Sequence, residues 1–239
     1  MNLRKAHGPS RRIAIPAVGV FVAILIAGPG RWSAEAQHGA VAGQGHYQQG
    51  LEALSKRDWP TAIRQLRWTL EYLPKSPAVH NSLGLAYLRS GDADHAVIEF
   101  RKAIALKPDF AEAYYNMAQA LERRDDEGGA IQFYRWAVRP GLPKAEAHDA
   151  QGCLLVHEGD LPGAESEFEA AIKDDPSLAS AHFHLGTVFR LQQKYPEAVA
   201  ELKKALKLEP SNAKARDELG LASRHLNPTK EPSPASAPR

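Results

Sequence analysis

Apolar and polar positions recur along this chain with a period of 34 residues, without a slip, from Gly43 to Asn212. Aligned at that interval, Ala62, Ala96, Ala130, Ala164 and Ala198 form one column, and Gly50, Gly84, Ala118, Gly152 and Gly186 another, which Gly220 continues. A third column is large (Leu66, Phe100, Tyr134, Phe168, Leu202), a fourth small (Thr69, Ala103, Ala137, Ala171, Ala205), and a fifth closes each period (Pro74, Pro108, Leu142, Pro176, Pro210). Within a period the first apolar set falls at positions 4, 7, 8 and 11, as in His80, Leu83, Gly84 and Tyr87. That spacing is one face of a helix. The second set, at positions 20, 24 and 27, is another helical face, seen in Ala96, Phe100 and Ala103. A breaker such as Ser90-Gly91-Asp92 separates the two, and a residue like Pro108 ends the second helix.

The pattern therefore predicts five helical hairpins, at 43–76, 77–110, 111–144, 145–178 and 179–212, each covering its neighbour's apolar face in an all-α solenoid. Alanine at all five copies of position 20 marks a close helix contact. Unit three departs from the rest: Asp125-Asp126 stands at the usual turn with Gly128-Gly129 after it, and the unit ends in Pro140-Gly141-Leu142-Pro143. A distorted turn and an early helix end are expected there. Residues 213–226 repeat the first-helix face through Leu219 and Gly220 and carry Lys214, Arg216, Asp217 and Glu218 on the other, as a capping helix would. The proline- and serine-rich stretch 227–239 is too polar to pack and is expected to be disordered.

The motif Leu83-Gly84-Tyr87-Ala96-Phe100-Ala103-Pro108 resembles the tetratricopeptide repeat family, and five copies keep its register. The resemblance implies a right-handed superhelix of five hairpins with a concave groove for protein or peptide partners. The family's usual Trp at position 4 is replaced by His46, His80, Tyr114, His148 and His182. Groove positions of the family map here onto Tyr47, Leu51, Leu54, Asn81, Leu85, Leu88, Arg89, Tyr115, Gln119, Glu122, Arg123, Asp149, His157, Phe183, Thr187 and Arg190. Among them Tyr47, Leu88, Arg89 and Tyr115 are expected to be the exposed main anchors, in an apolar and aromatic N-terminal half. The Lys/Asn set by which such repeats grip chaperone tails is not matched by Asn81, Leu85, Asn116, Glu146 and Ala150. The position-6 Asn ladder of glycosyltransferase superhelices is not matched either, since that column reads Gln48, Ser82, Asn116, Ala150 and His184.

Ahead of the repeats, Arg4, Lys5, Arg11 and Arg12 precede an apolar run over 13–28 and a small-x-small site, Ala34-Glu35-Ala36. This is the layout of a signal peptide over 1–36, with a linker over 37–42, and predicts export to the periplasm or outside. The other reading is an uncleaved N-terminal anchor in the inner membrane, although a run of 16 residues is short of the roughly 20 a span needs. The segment holds five of the 30 basic residues and one of the 28 acidic ones, so removing it turns a net charge of +2 into about −2. That balance argues against a nucleic-acid binder.

No phosphate-binding loop, zinc-protease or paired-cysteine motif occurs. The lone cysteine, Cys153, is expected to be a packed thiol. Equivalent helices in neighbouring units lie at least about 8–10 Å apart, too far for the position-4 histidines to share a metal ion, so packing is their expected role. The chain thus predicts an exported non-enzymatic adaptor with no cofactor and no metal site. Two alternatives stay open: a regulatory or assembly subunit of a separate envelope enzyme or secretion complex, and a self-associating homo-oligomer.

Overall fold

The computed structural model describes residues 34–138 and 140–226. The basic start and apolar run of the expected signal peptide lie outside the described residues, as does the tail 227–239. Among the described residues there are eleven α-helices and no strand: α1 Ala34–Ser55, α2 Trp59–Tyr72, α3 Pro77–Ser90, α4 Ala93–Leu106, α5 Ala111–Arg123, α6 Glu127–Ala137, α7 Lys144–Glu158, α8 Leu161–Asp174, α9 Ala179–Leu191, α10 Tyr195–Leu208 and α11 Ala213–Leu226. Helix α1 starts ahead of the first period and takes in the expected linker. None of the described helices is long and apolar enough to cross a membrane.

Each odd-numbered helix from α3 to α9 packs against the even-numbered one that follows, each pair packs against the next, and α11 packs on α10. Gly43 and Gly50 of α1 lie against Tyr72 and Leu66 of α2, which completes the five hairpins and the cap. The odd helices form the inner layer. Ten of the 13 residues of α9 are buried, against three of the 14 in α10.

The columns explain the hairpins. All five alanines of position 20 are buried. A Cβ added at Gly84 would stand 2.6 Å from the Phe100 ring, and one at Gly152 would stand 2.5 Å from that of Phe168. Glycine there lets the large residue of the second helix lie flat against the first helix's backbone. At Gly220 an added Cβ meets nothing within 4 Å; among the described residues α11 is the last helix and has no partner helix after it.

Every interhelical turn within a unit uses one geometry. Position 15 is left-handed in all five units: Arg57 (φ 58°), Gly91 (95°), Asp125 (60°), Gly159 (84°) and Gln193 (63°). The next residue then caps the second helix, with Asp58, Asp92, Asp126 and Asp160 each accepting a backbone N–H three residues on. The distorted turn expected in unit three is thus corrected: Asp125 takes the same conformation as its counterparts, and Gly128-Gly129 lies inside α6. Asp tolerates the left-handed region better than most residues because its short side chain bonds locally. The early end is observed, since α6 stops at Ala137.

The histidines of position 4 tie hairpins together. Nδ1 of His80, His148 and His182 faces the carboxylate 19 residues on (Glu99, Glu167, Glu201) at 2.6–2.7 Å, and His46 faces Gln65 at 2.8 Å. Where position 4 is Tyr114, the partner position holds Phe133, with ring centroids 6.0 Å apart. The far edge reaches back to the preceding unit: His80 Nε2 to the Pro74 carbonyl, Tyr114 Oη to that of Pro108, and His182 Nε2 to that of Pro176, at 3.0–3.1 Å.

The array also curls enough to meet itself. Glu209, at the end of α10, is buried between Arg89 of α3 and Arg123 of α5, the latter at 2.7 Å. Ser211 Oγ donates to the Arg89 carbonyl at 2.8 Å, and Lys214 pairs with Asp125 at 2.8 Å. Unit two is thereby clasped to the loop before the cap, closing part of the concave face.

Candidate functional site

The inner helices place positions 2, 5, 6, 9 and 12 of successive units side by side, and in this chain those positions bond to one another. Asn116 Nδ2 donates to Asn81 Oδ1 at 3.1 Å, and Asn81 Nδ2 donates to Glu112 at 3.2 Å. One unit on, Tyr115 Oη donates to Asp149 Oδ2 at 2.6 Å and lies 2.9 Å from Ser180 Oγ. Asp149 Oδ1 accepts from His184 Nδ1 at 2.8 Å. His184 Nε2 lies 3.2 Å from Glu122 Oε2, which also accepts from Tyr134 Oη at 2.9 Å. Cys153 Sγ sits 3.5 Å from His184 Nδ1 and 3.8 Å from Nε2.

This network is buried, with Asp149 wholly so and His184 at 7% exposure. Burial favours a neutral ring at His184, but the Asp149 and Glu122 carboxylates outweigh it and hold the imidazole pKa well above its usual range. The Tyr115 hydroxyl is pushed up by burial and by Asp149. Burial pushes the Cys153 thiol up to about 12, so it is a protonated, packed thiol, as the sequence predicts.

The expected anchors are therefore largely used up inside the chain. Tyr115 and Leu88 are not exposed anchors: their exposures are 2% and 0%. Asn81, Gln119 and Phe183 are buried as well, and Arg89 and Arg123 are held by Glu209. Arg190 pairs with Glu218 of the cap. Tyr47, Leu51 and Leu85 remain half-buried. The physical cause is the inter-unit bonding just described, together with the clasp that narrows the concave face.

A cavity of about 610 Å³ opens in the C-terminal half. Ile131, Val156, Phe183, Val188 and Leu191 supply apolar wall, while Glu122, Cys153 and His184 reach it from the network. Of the sequence-derived candidates, Phe183 and Arg190 line it, with Glu122, His157 and Thr187. Its rim carries the exposed acids Glu127 and Asp217, and the cap adds Lys214 and Glu218. Ile131 and the cap residues lie outside the family's groove positions. Only the curvature that brings α6 and α11 to the same mouth reveals them.

Family models described as tetratricopeptide repeat match residues 47–109, 150–213 and 99–132. The chain belongs to the tetratricopeptide repeat family. No curated protein sequence matches it. Among solved structures, this tetratricopeptide repeat chain is similar to TTC0263 of Thermus thermophilus, described as a thermophilic TPR protein (TM-score 0.56, 19% identity, covering 76% of this chain and 99% of that one). Pseudomonas aeruginosa pilF aligns with a TM-score of 0.52 at 20% identity, over 80% of this chain and 95% of its own. MamA aligns with a TM-score of 0.47 at 26% identity, over 72% and 94%. The first two likenesses concern the fold alone.

Proposed function

We propose that this tetratricopeptide repeat chain is an exported, non-enzymatic scaffold that takes a segment of a protein partner into the C-terminal cavity. The observation that carries the reading is the cavity itself: about 610 Å³ of open concave face beside inner helices in which Tyr115, Asp149 and His184 are already bonded to one another. That volume is within the range of ligand sites. It suits one or two apolar side chains against Ile131, Phe183, Val188 and Leu191. Lys214 and Arg190 are neutralised by Asp125 and Glu218, which leaves Glu127 and Asp217 to set the sign of the rim. The fitting partner is a segment with an apolar anchor flanked by basic residues, recognised as a peptide in a groove. Export rests on the basic start, the apolar run and Ala34-Glu35-Ala36.

Peptides selected from a random library on the immobilised chain, then titrated by calorimetry, test the reading. Selected sequences should share an apolar residue next to Lys or Arg. Leu191→Glu should weaken them at least about tenfold, a loss of about 1.4 kcal/mol, and Lys203→Ala on the outer face should not. Peptides indifferent to Leu191→Glu would place the partner elsewhere.

A further inference from the structure

His184 differs from the other buried histidines of this chain. It stands at position 6 of its unit, not position 4, and both of its ring nitrogens face carboxylates, where His80 and His182 each face one carboxylate and one backbone carbonyl. Nδ1 is fixed by Asp149, itself fixed by Tyr115, so the ring cannot turn without breaking a wholly buried chain of bonds. Nε2 points to Glu122 Oε2 at 3.2 Å and lies 3.8 Å from Cys153 Sγ. One donor atom from each of Glu122, Cys153 and His184 lies within 4.8 Å of the others. A tetrahedral ion bound at about 2.0–2.3 Å keeps its donors roughly 3.3–3.8 Å apart, so binding draws the three donors together by up to about 1 Å, with Cys153 Sγ swinging from beside Nδ1, 3.5 Å away, toward Nε2. Glu122 can supply it, since its side chain is 22% exposed at the cavity wall.

We propose that Glu122 Oε2, Cys153 Sγ and His184 Nε2 bind one divalent cation of the zinc type, with Asp149 as the positioning residue. A carboxylate holding the far nitrogen of a ligating histidine is the usual support of such sites. A mixed sulfur, nitrogen and oxygen donor set suits zinc and its analogue cobalt better than magnesium or calcium. The three ligands come from units three, four and five, so the ion would cross-link successive hairpins. All three line the cavity, so the fourth coordination position opens into it, for water or for a donor from an incoming segment. Ligation releases the thiol proton and the Nε2 proton to solvent as a doubly charged ion enters, which leaves the charge of the pocket unchanged. The site rests on these four side chains and is independent of the peptide reading.

The test is a cobalt titration of the untagged, chelator-stripped protein, followed by absorption spectroscopy. One equivalent of Co²⁺ should give a thiolate-to-cobalt charge-transfer band together with tetrahedral visible bands in the wild type, a result that needs no variant. Cys153→Ser should lose the charge-transfer band, and Glu122→Gln should bind at least about tenfold more weakly. Asp149→Asn should keep the band while weakening binding by about 10–100-fold, as loss of a ligand's support does. Absence of the band in the wild type, or its survival in Cys153→Ser, would overturn the site. Wild-type affinity in a folded Asp149→Asn would overturn the positioning role. Peptide titrations on Leu191→Glu touch none of the ligands, so failure of one idea is read separately from failure of the other.

Discussion

Replacing Glu209 should both weaken the fold and loosen its closure. The carboxylate is 4% exposed and meets two guanidinium groups, Arg89 and Arg123, from helices that lie far earlier in the chain. Removing one partner of a fully buried ion pair costs about 3–5 kcal/mol, because the remaining charge is left uncompensated. Here the arginine side chains keep 21% and 13% exposure, so water recovers part of their solvation. About 2–4 kcal/mol is therefore expected for Glu209→Ala, and less for Glu209→Gln, which preserves shape and one acceptor. Urea denaturation gives the first number. Hydrogen exchange gives the second effect: amides at the end of α3 (87–92) and in the loop before α11 (209–213) should both exchange faster, because Ser211 loses its purchase on the Arg89 carbonyl. A double-mutant cycle with Arg89→Ala should show coupling of at least about 1 kcal/mol. A loss below about 0.5 kcal/mol, or faster exchange at only one of the two segments, would refute the clasp.

Three further outcomes follow from the same geometry. Two attractive arginines outweigh burial and hold the Glu209 pKa below its ordinary value, so its stabilisation is present above about pH 4.5 and fades as pH falls through the lower folded value; the stability gap between wild type and Glu209→Gln, measured by urea melts, should shrink over that acid window and not between pH 6 and 8. Gln193→Gly should stabilise by about 0.5 kcal/mol, since a left-handed non-glycine residue costs roughly 1–2 kcal/mol and glycine loses about 0.5–1 kcal/mol more backbone entropy; a lower melting temperature would contradict the turn assignment. Gly152→Ala and Ala164→Leu should each overpack the fourth hairpin and cost about 1–3 kcal/mol in chemical denaturation, whereas wild-type stability in both would mean the hairpin register is wrong.

Much of the fold was legible because each column answers a local requirement: alanine at position 20 and glycine at position 8 permit contact between two helices joined by a short turn. The partnering of position 4 with the residue 19 further on was equally visible in principle, since His goes with Glu or Gln and Tyr114 goes with Phe133. The turn of unit three was misread because Asp125 does there what glycine does in units two and four. The groove was harder. Tyr115 and Asp149 look like exposed binding side chains when each unit is read alone, and only the stacking of three units shows them bonded to each other and to His184. Closure depends on small rotations accumulated over several units. No single repeat encodes it, so the salt-bridged Arg89 and Arg123 read from sequence as free cations.

The central claim, that partners enter the C-terminal cavity, is tested most directly by site-specific photocrosslinking in cells. A photoreactive residue at position 187 or 191, both on the cavity wall, should capture the same partner, and mass spectrometry should map both crosslinks to one short segment with an apolar residue beside a basic one. The same probe at position 203 on the outer face should give no such product. Capture of that segment from position 203, with nothing specific from 187 and 191, would contradict the account.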